Sequence, residues 1–377
     1  MSRLDRSLVA LGLLLALPAP AAASGTIRVA VVESARAADL SGSRIEVTEA
    51  AACPTCAART WRADLVRARA RGAAIEVDGR RAGVFRLASE RPIRLNGREY
   101  PGRLELVRNG DGFAVVAEAL LEDYLVGVLR AESNERWPIE ALRAQAIVAR
   151  TYAAYHRRLN AGKPYHIVAS TAHQQYAGRV PAGSPVWEAV RSTTGQVLLW
   201  EGELFPAFYH TESGGYTEDP RTVFAARNMP ALRPVRDEFA GASPHYAWSL
   251  DVGLADLGAA LRRAGFDIGT ATAIGVVERT PSLRAAWVVV YGARGSARLR
   301  GNDFRRILGY DTFKSTLFAV AVDGRVARFA GRGWGHGVGM SQWGAKGMAE
   351  QGYRAHQILE YYYPGTTSGT LGERTAR

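Results

Sequence analysis

Glu132 has a position in the sequence that suits acid/base chemistry. Leu121, Leu125, Val128 and Glu132 follow one another at intervals of four, three and four residues, so they share one face of a helix that ends near residue 132. A carboxyl group that continues an apolar stripe is partly buried, and the carbonyl end of the helix adds negative partial charge. Both effects raise the pKa of the carboxyl group, which is what a proton donor at neutral pH requires.

A structural role for Glu132 is equally compatible with this spacing. A glutamate at a helix end often forms a salt bridge, and Arg136 and Arg150 are candidate partners. Four neighbouring acidic residues are interpreted as surface residues: Glu122, Asp123, Glu135 and Glu140. Spacing alone therefore makes Glu132 a candidate acid/base but does not assign its role.

Several common catalytic motifs are absent. The alternating glycines between Gly331 and Gly339 give no Gly-x-Gly-x-x-Gly register, and Ala345 stands where a phosphate-binding loop needs its lysine. No Gly-x-Ser-x-Gly and no Ser-x-x-Lys occurs. Dinucleotide binding, phosphate-loop chemistry and serine acyl-enzyme chemistry are therefore disfavoured.

Residues 117–159 are predicted to form two helices, interrupted around Ser133 to Trp137. Pro138 suits the first position of the second helix, where its missing N–H is harmless. That helix carries two stripes at helical spacing, and these consist of Ile139, Leu142, Ala146, Ala149 and Ala153 on one side and Gln145, Val148, Tyr152 and Tyr155 on the other. Two packed faces indicate a central helix.

Short β-like runs separated by turn-forming residues occupy residues 25–116 and indicate a small β-rich domain. They are Thr26–Val32, Ile75–Val77, Gly83–Leu87, Leu104–Val107 and Phe113–Val116. Later segments predict a helix at Leu254–Ala264 and strands at Gln196–Trp200, Leu204–Tyr209, Ile274–Glu278, Ala286–Tyr291 and Leu317–Val322. Since strands and helices do not alternate regularly, we expect an α+β fold of mixed helices and short strands. The predicted divisions are a signal peptide at 1–23, the β-rich domain at 24–116, a core at 117–366 and a disordered tail at 367–377.

The first residues are typical of a secretory signal. Arg3 and Arg6 precede the apolar run Leu8–Leu17, and Ala21–Ala23 supplies the small residues of a cleavage site. The run is shorter than the roughly 20 residues that span a bilayer. We therefore expect an exported protein, periplasmic or secreted, without a stable membrane span; an uncleaved anchor is the alternative.

The charge balance favours anionic partners. Forty-eight Lys and Arg residues against 36 Asp and Glu give a formal net charge of +12, which suits cell-wall polymer, nucleic acid or acidic lipid. No run of consecutive basic residues marks a nucleic-acid arm, so nucleic acid is not expected as a partner.

The only cysteines, Cys53 and Cys56, are interpreted as a disulfide in an oxidising compartment, with redox activity or free thiols as alternatives.

Six ordered segments of the sequence resemble the stage II sporulation protein D family. They run from Tyr124 to Glu132, Trp137 to Tyr152, His173 to Tyr176, Ala207 to Glu218, Gly331 to Gly347 and Tyr361 to Thr366. The resemblance covers roughly residues 117 to 366. It implies a peptidoglycan lytic transglycosylase that cleaves the β-1,4 bond between N-acetylmuramic acid and N-acetylglucosamine, preferring strands without stem peptides.

The resemblance also implies roles for single residues. The family's catalytic acid/base matches Glu132, although Ser133 and Asn134 stand where many members have Met-Pro. Some members bind zinc through cysteines and a histidine near the segment that matches His173. Because no cysteine follows Cys56, we expect no metal and no cofactor in this chain.

The segments that resemble the family supply candidate contacts to a glycan strand, which are Gln145, Arg150, His173, Tyr176, His210, Ser213, Thr217, Trp334, His336, Ser341, Gln342 and Trp343. Aromatic rings can stack on sugars, and alternating glycines let backbone approach a ligand closely. Tight turns, core aromatics and helix packing explain the same residues. Two rival functions remain: a non-catalytic glycan-binding enhancer of a cell-wall amidase, and a metal-dependent hydrolase built on His173, His210 and His336.

Overall fold

The computed structural model of the protein describes residues 25–50, 58–224 and 228–372. The predicted signal peptide and the Cys53 and Cys56 pair lie outside the described residues. Within these ranges, no helix has the length and apolar character needed to cross a membrane.

One large sheet dominates the N-terminal part of the chain. Its main path follows the order β11-β1-β10-β9-β6-β2-β3-β4-β5, with β7 and β8 attached beside β2. The strands are β1 Thr26–Ala35, β2 Ala37–Glu49, β3 Arg59–Arg71, β4 Ala74–Val77, β5 Arg80–Ala82, β6 Val84–Ala88, β7 Ile93–Leu95, β8 Arg98–Tyr100, β9 Arg103–Asn109, β10 Gly112–Leu120 and β11 Ile167–Val168. All pairs are antiparallel except β1 with β11.

The helices are α1 Leu121–Glu132, α2 Ile139–Leu159, α3 Val186–Arg191, α4 Pro220–Phe224, α5 Leu254–Arg263, α6 Gly301–Leu308, α7 Gln342–Glu350 and α8 Ala355–Tyr362. Helices α1 and α2 pack against the large sheet, and the other helices lie further along the chain. The two predicted helices are confirmed, and nearly every residue of α2 from Ala141 to Ala154 is buried. As expected from its two stripes, α2 is central, packing on the sheet side and on α7 and α8.

Residues 247–332, which we call the second unit, have a hydrophobic core of their own. Two three-stranded antiparallel sheets and the helices α5 and α6 build it. Its strands are β14 Ala247–Gly253, β15 Ala271–Arg279, β16 Ala285–Gly292, β17 Gly295–Arg300, β18 Phe318–Asp323 and β19 Val326–Arg332. Four short strands complete the fold, namely β12 Gln196–Leu199, β13 Tyr209–His210, β20 Met340–Ser341 and β21 Thr367–Thr370. The α+β expectation is confirmed.

The structure corrects three details of the predicted elements. Residues 117–120 extend β10 instead of opening α1, so the domain boundary placed after residue 116 falls inside a strand, and one core joins the sheet to α1 and α2. The strand predicted at Leu204–Tyr209 is reduced to β13, because Pro206 lacks the N–H that a ladder needs. The tail is not disordered throughout, since β21 pairs antiparallel with β12.

Candidate functional site

Glu132 ends α1 and lines a pocket of about 470 Å³. Its Oε1 accepts a hydrogen bond from the backbone N–H of Gln175 at 2.5 Å. Burial raises the pKa of Glu132 to about 7, and hydrogen bonds from the Gln175 backbone and the Gln342 side chain limit the rise. The carboxyl group is therefore half protonated near neutral pH.

The salt-bridge alternative for Glu132 is wrong. Among the ion pairs within the described part of the chain, none involves Glu132. Arg150 is fully buried and pairs with Glu122, at the other end of α1, through hydrogen bonds of 2.9 and 2.6 Å. Because Glu132 takes part in none of these ion pairs, no salt bridge among the described residues offsets the cost of desolvating its charge, and the neutral acid is favoured.

A buried hydrogen-bond network holds the segment that contacts Glu132. The Gln174 side chain accepts from the Tyr124 hydroxyl at 3.0 Å and donates to the Tyr209 hydroxyl at 3.1 Å. Gln174 is fully buried, so this arrangement fixes the neighbouring Gln175 N–H against the carboxyl group. The residues predicted from this segment are His173 and Tyr176, whereas Gln174 and Gln175 are not among the candidates; the adjacent pair of glutamines is the signal that could have identified them.

Gln342 connects Glu132 to the central helix. Its Nε2 donates to the backbone carbonyl of Glu132 at 3.1 Å and to Gln145 Oε1 at 3.4 Å. Gln145 is buried in α2. Its part in the site is therefore indirect, since it orients Gln342, which in turn contacts Glu132.

Six of the predicted site residues meet in the pocket, and they are Glu132, His173, His210, Trp334, His336 and Gln342. A further part of the lining comes from the second unit, which sequence reasoning did not place there. These residues are Asn302, Arg305, Arg306, Tyr310 and Asp311. The end of α1, the 171–175 segment, and α6 with the turn after it thus all contribute to one pocket.

The histidines of the pocket are neutral. Burial lowers the pKa of His336 to about 3, with Arg305 and Arg284 adding to the effect. His336 Nδ1 accepts from the Val338 N–H at 3.0 Å, and His210 Nδ1 donates to the Val338 carbonyl at 3.1 Å. Burial also holds the pKa of His210 well below its usual range.

His173 has a different hydrogen-bond partner from His210 and His336. Its Nδ1 shares a hydrogen bond with the Tyr152 hydroxyl at 3.1 Å. Across the described ranges, no three His, Cys, Asp or Glu side chains are grouped so that they could hold a metal ion.

The alternating glycines bring backbone close to the protein's own chain. A Cβ on Gly335 would lie 2.7 Å from the His210 Cβ, and one on Gly339 would lie 2.0 Å from the Phe208 carbonyl. Both have positive φ, of 120° and 71°. These two glycines let the backbone pack against Phe208 and β13, which pairs in parallel with β20, and close approach of this segment to a sugar chain stays a prediction.

Three predicted substrate contacts, Ser213, Thr217 and Ser341, are buried and have their hydroxyl groups bonded inside the protein, so contact with a ligand stays a prediction for them. Ser213 donates to Asp237 at 2.7 Å, and Thr217 accepts from the Val235 N–H at 2.8 Å. Ser341 caps α7 by accepting from the Gly344 N–H. These side chains hold loops in place beneath the site.

Three further candidates lie outside the pocket lining. Arg150 is committed to Glu122, as described above. Tyr176 is 2% exposed and packs against Tyr124 with ring centroids 5.0 Å apart. Trp343 is half-buried and contacts Trp137 edge to face at 5.3 Å. For these residues too, the structure indicates packing and positioning.

Comparison with known proteins agrees with the geometry. A family model described as Stage II sporulation protein matches residues 109–200, which include α1, α2 and the 171–175 segment, and a model for a domain of unknown function, DUF8618, matches residues 226–339. An uncharacterized protein of Brachyspira hyodysenteriae is 32% identical over 72% of this chain and 72% of its own length. In Bacillus subtilis, stage II sporulation protein D is 29% identical over 65% of this chain and 73% of its own length. An amidase enhancer of the same organism is 29% identical over 64% of this chain and 40% of its own length. The chain belongs to the stage II sporulation protein D family.

Proposed function

We propose that this protein is an exported lytic transglycosylase that cleaves the β-1,4 bond between N-acetylmuramic acid and N-acetylglucosamine in peptidoglycan. The observation that carries the proposal is Glu132: a carboxyl group without a cationic partner, at the wall of an open pocket, with its pKa raised to about 7. Such a group can both donate and accept a proton near neutral pH. The signal-like first residues support a periplasmic or secreted location.

One carboxyl group is sufficient for this reaction. Glu132 donates its proton to the bridging oxygen as the bond from that oxygen to the muramic acid anomeric carbon breaks. The 6-hydroxyl of the same sugar then attacks the anomeric carbon, and the Glu132 carboxylate accepts the hydroxyl proton. The products are a 1,6-anhydro end and a free sugar hydroxyl, with the acid regenerated. Hydrolysing glycosidases generally need a second carboxylate because external water or the enzyme supplies the nucleophile.

The surroundings of Glu132 support a glycan as substrate. Trp334 lines the pocket, with Lys314 Nζ 4.9 Å from its ring centroid and His245 edge-on at 4.7 Å. A ring held in this way offers a rigid face for a sugar. A second cavity of about 330 Å³, lined partly by Lys163 and Tyr165, shares His173 with the pocket. Two neighbouring cavities offer a linear polymer more than one place to bind.

The test compares the chain without residues 1–23 with its Glu132→Gln variant on glycan strands freed of stem peptides. Mass spectrometry of the products should find 1,6-anhydromuramic acid ends with wild type and none with Glu132→Gln. The matched control is Glu135→Gln, because Glu135 bonds Ser184 at 2.9 Å outside the pocket, and this variant should retain activity. Equal products from wild type and Glu132→Gln, or none from wild type, contradict the proposal.

The second candidate function is stimulation of a cell-wall amidase by a glycan-binding protein that does not cut. Similarity to an amidase enhancer favours it, and a pocket with aromatic and polar walls serves binding as well as catalysis. In this case wild type and Glu132→Gln would bind strands and stimulate an added amidase equally, and neither would form anhydro ends.

A further inference from the structure

A cavity of about 610 Å³ lies on the large N-terminal sheet and shares no lining residue with the pocket of Glu132. A volume of this size is typical of ligand sites, which range from roughly 300 to 1,000 Å³. The charged residues of its lining are Arg44, Glu46, Arg62, Glu90, Arg91 and Arg103. All its other lining residues are serine, alanine or glycine. Positive charge is therefore in excess around a cavity that no bulky apolar side chain lines.

Three of these arginines are not used by the fold itself. Arg44, Arg91 and Arg103 are exposed, and among the described residues their guanidinium groups form no hydrogen bond and no ion pair. Arg62 has a long ion pair with Glu46 at 3.7 Å, and the two side chains are 60% and 45% exposed. Exposed pairs of this kind contribute little to stability. The charge of the arginines is therefore available to a ligand.

The three unpaired arginines come from separate segments of the chain. Arg44 lies in the bulge of β2, Arg91 in the turn between β6 and β7, and Arg103 at the start of β9. A guanidinium binds phosphate or carboxylate oxygens through paired hydrogen bonds. The oxygens of a phosphate point in several directions, whereas those of a carboxylate lie in one plane. Arginines that reach one cavity from several segments therefore suit phosphate better.

Ser89 ties these three segments together. Its Oγ donates to the Ser43 carbonyl at 3.1 Å and accepts from the Arg91 N–H at 3.1 Å. Its backbone N–H donates to the Gly102 carbonyl at 2.7 Å. A Cβ on Gly102 would lie 1.9 Å from the Ser89 carbonyl oxygen, so the two backbones are in direct contact. The rim of the cavity is thus held in place before any ligand binds.

A second cavity, of about 270 Å³, shares Ala88 and Arg103 with the first. Arg28 and Arg86 also line it, and each forms an ion pair with Glu105. A ligand that carries several phosphates in succession can therefore meet arginine in both cavities.

The lining also distinguishes between classes of polyanion. Among the described residues that line the two cavities, none is aromatic, so nucleic-acid bases have no ring on which to stack. None is a large exposed apolar residue that could insert into a bilayer. A flexible polyol chain joined by phosphodiesters needs neither feature.

We propose that this arginine-lined cavity binds a phosphodiester-linked polyol chain of the cell envelope, with its phosphates held by Arg44, Arg91 and Arg103. The inference goes beyond the proposed reaction and does not depend on Glu132; it uses only the expectation that the protein is exported. Such binding retains the protein at an envelope that carries this polymer and leaves the pocket of Glu132 free.

The test measures binding by calorimetry to the chain without residues 1–23. The probe is a hexamer of glycerol phosphate, and the comparison ligands are hexaglutamate, a hexanucleotide and vesicles of phosphatidylcholine with phosphatidylglycerol. We expect the glycerol phosphate hexamer to bind most tightly, and Arg91→Gln and Arg103→Gln each to weaken it by about tenfold. Glu90→Gln removes a negative charge from the same lining and should strengthen binding.

Arg67→Gln is the matched control. Arg67 is an exposed arginine of β3 outside both cavities, and in the described part of the chain it is likewise unpaired. This variant should leave the affinity unchanged. Ser89→Ala keeps every charge but removes the hydroxyl that joins Ser43 to Arg91, so it should weaken binding by loosening the rim.

Two kinds of result overturn the proposal. One is equal or tighter binding of hexaglutamate, the hexanucleotide or the vesicles, and the other is a loss in Arg67→Gln as large as that in Arg103→Gln. A peptide-free tetrasaccharide of alternating N-acetylglucosamine and N-acetylmuramic acid, added to the Glu132→Gln variant, should not displace the glycerol phosphate hexamer; displacement would mean that the cavity binds glycan instead. Failure of the proposed function is separate, because absence of anhydro ends leaves the binding of the hexamer unaffected.

Discussion

The two glutamates at opposite ends of α1 show how environment decides the role of a carboxyl group. Glu122 receives two hydrogen bonds from the buried Arg150 guanidinium, which also reaches backbone carbonyls at Val190 and Gln196. Glu132 receives only neutral donors, and burial raises its pKa to about 7. One glutamate of the helix is thus engaged in an ion pair, whereas burial disfavours the charged form of the other, Glu132.

The raised pKa of Glu132 predicts how activity depends on pH. Proton donation needs the neutral acid, whose fraction falls about tenfold for each pH unit above the pKa. The value of kcat/KM for release of anhydro ends should therefore decline above pH about 7, with slope minus one on a logarithmic plot. A rate that stays level from pH 6 to 9 would contradict Glu132 as the donor.

The same pKa shift predicts a stability effect that does not depend on activity. The folded-state pKa of about 7 lies above the ordinary value of 4.5, so folding favours the protonated acid and stability falls as pH rises between those values. At pH 8 the Glu132→Gln variant should be more stable than wild type by roughly 2 kcal/mol, with the difference vanishing below pH 4. Urea unfolding at both pH values measures it.

At the scale of elements, the site depends on how closely the 174–178 segment lies on α1. A Cβ added to Gly127 would lie 2.3 Å from Tyr176 Cε2 and 2.6 Å from the Gly178 carbonyl oxygen. The Gly127 carbonyl also accepts a hydrogen bond from the Ala177 N–H at 3.0 Å. The missing side chain in α1 therefore sets the position of the segment whose Gln175 N–H holds Glu132.

We expect Gly127→Ala to force this segment away from α1. The overlap should lower the free energy of unfolding by about 1 to 3 kcal/mol, as is usual for overpacked cores, and reduce anhydro-end formation further than stability alone explains. Gly162→Ala is the control, since its Cβ would meet nothing within 4 Å. Urea unfolding measures the loss of stability, and the release of anhydro ends measures activity. If both are unchanged in Gly127→Ala, the contact does not position Glu132.

Sequence patterns predicted elements best where hydrophobic periodicity was strong. The two stripes of α2 identified the central helix. Strand β3 was missed because alanine and arginine dominate it, and β2 was missed because small and polar residues interrupt its few strand-favouring residues. β21 was missed because Thr-Ser-Gly-Thr is short and polar, and only its pairing with β12 makes it a strand. Local propensity cannot report a partner that lies about 170 residues away.

The candidate site was predictable only in part for the same reason. Glu132 could be identified from an apolar stripe and from a family resemblance. The partner of Arg150 could not be predicted, because it depends on which end of α1 packs against Arg150 in α2. The wall formed by α6 had no signal in the sequence at all. It arises because the second unit, with its separate core, contributes residues to the same pocket as α1.

At the scale of the whole molecule, the cleft joins two hydrophobic cores that are otherwise distinct. One core holds the large sheet with α1 and α2, and the other holds the second unit. A ligand that contacts both walls must restrain their relative motion, and binding adds about 2.7 kcal/mol to stability at a ligand concentration of 100 times Kd. This stabilisation should reach both sides of the cleft.

Hydrogen exchange on Glu132→Gln with and without the peptide-free tetrasaccharide tests this coupling. We expect slower amide exchange both in the 171–175 segment and in α6, because each contributes residues to the pocket. Strand β3 lies toward the far edge of the large sheet, and its exchange should change no more than the global stabilisation requires. Protection confined to the 171–175 segment would mean that the ligand touches only the wall carrying Glu132, and α6 would then have no part in recognition.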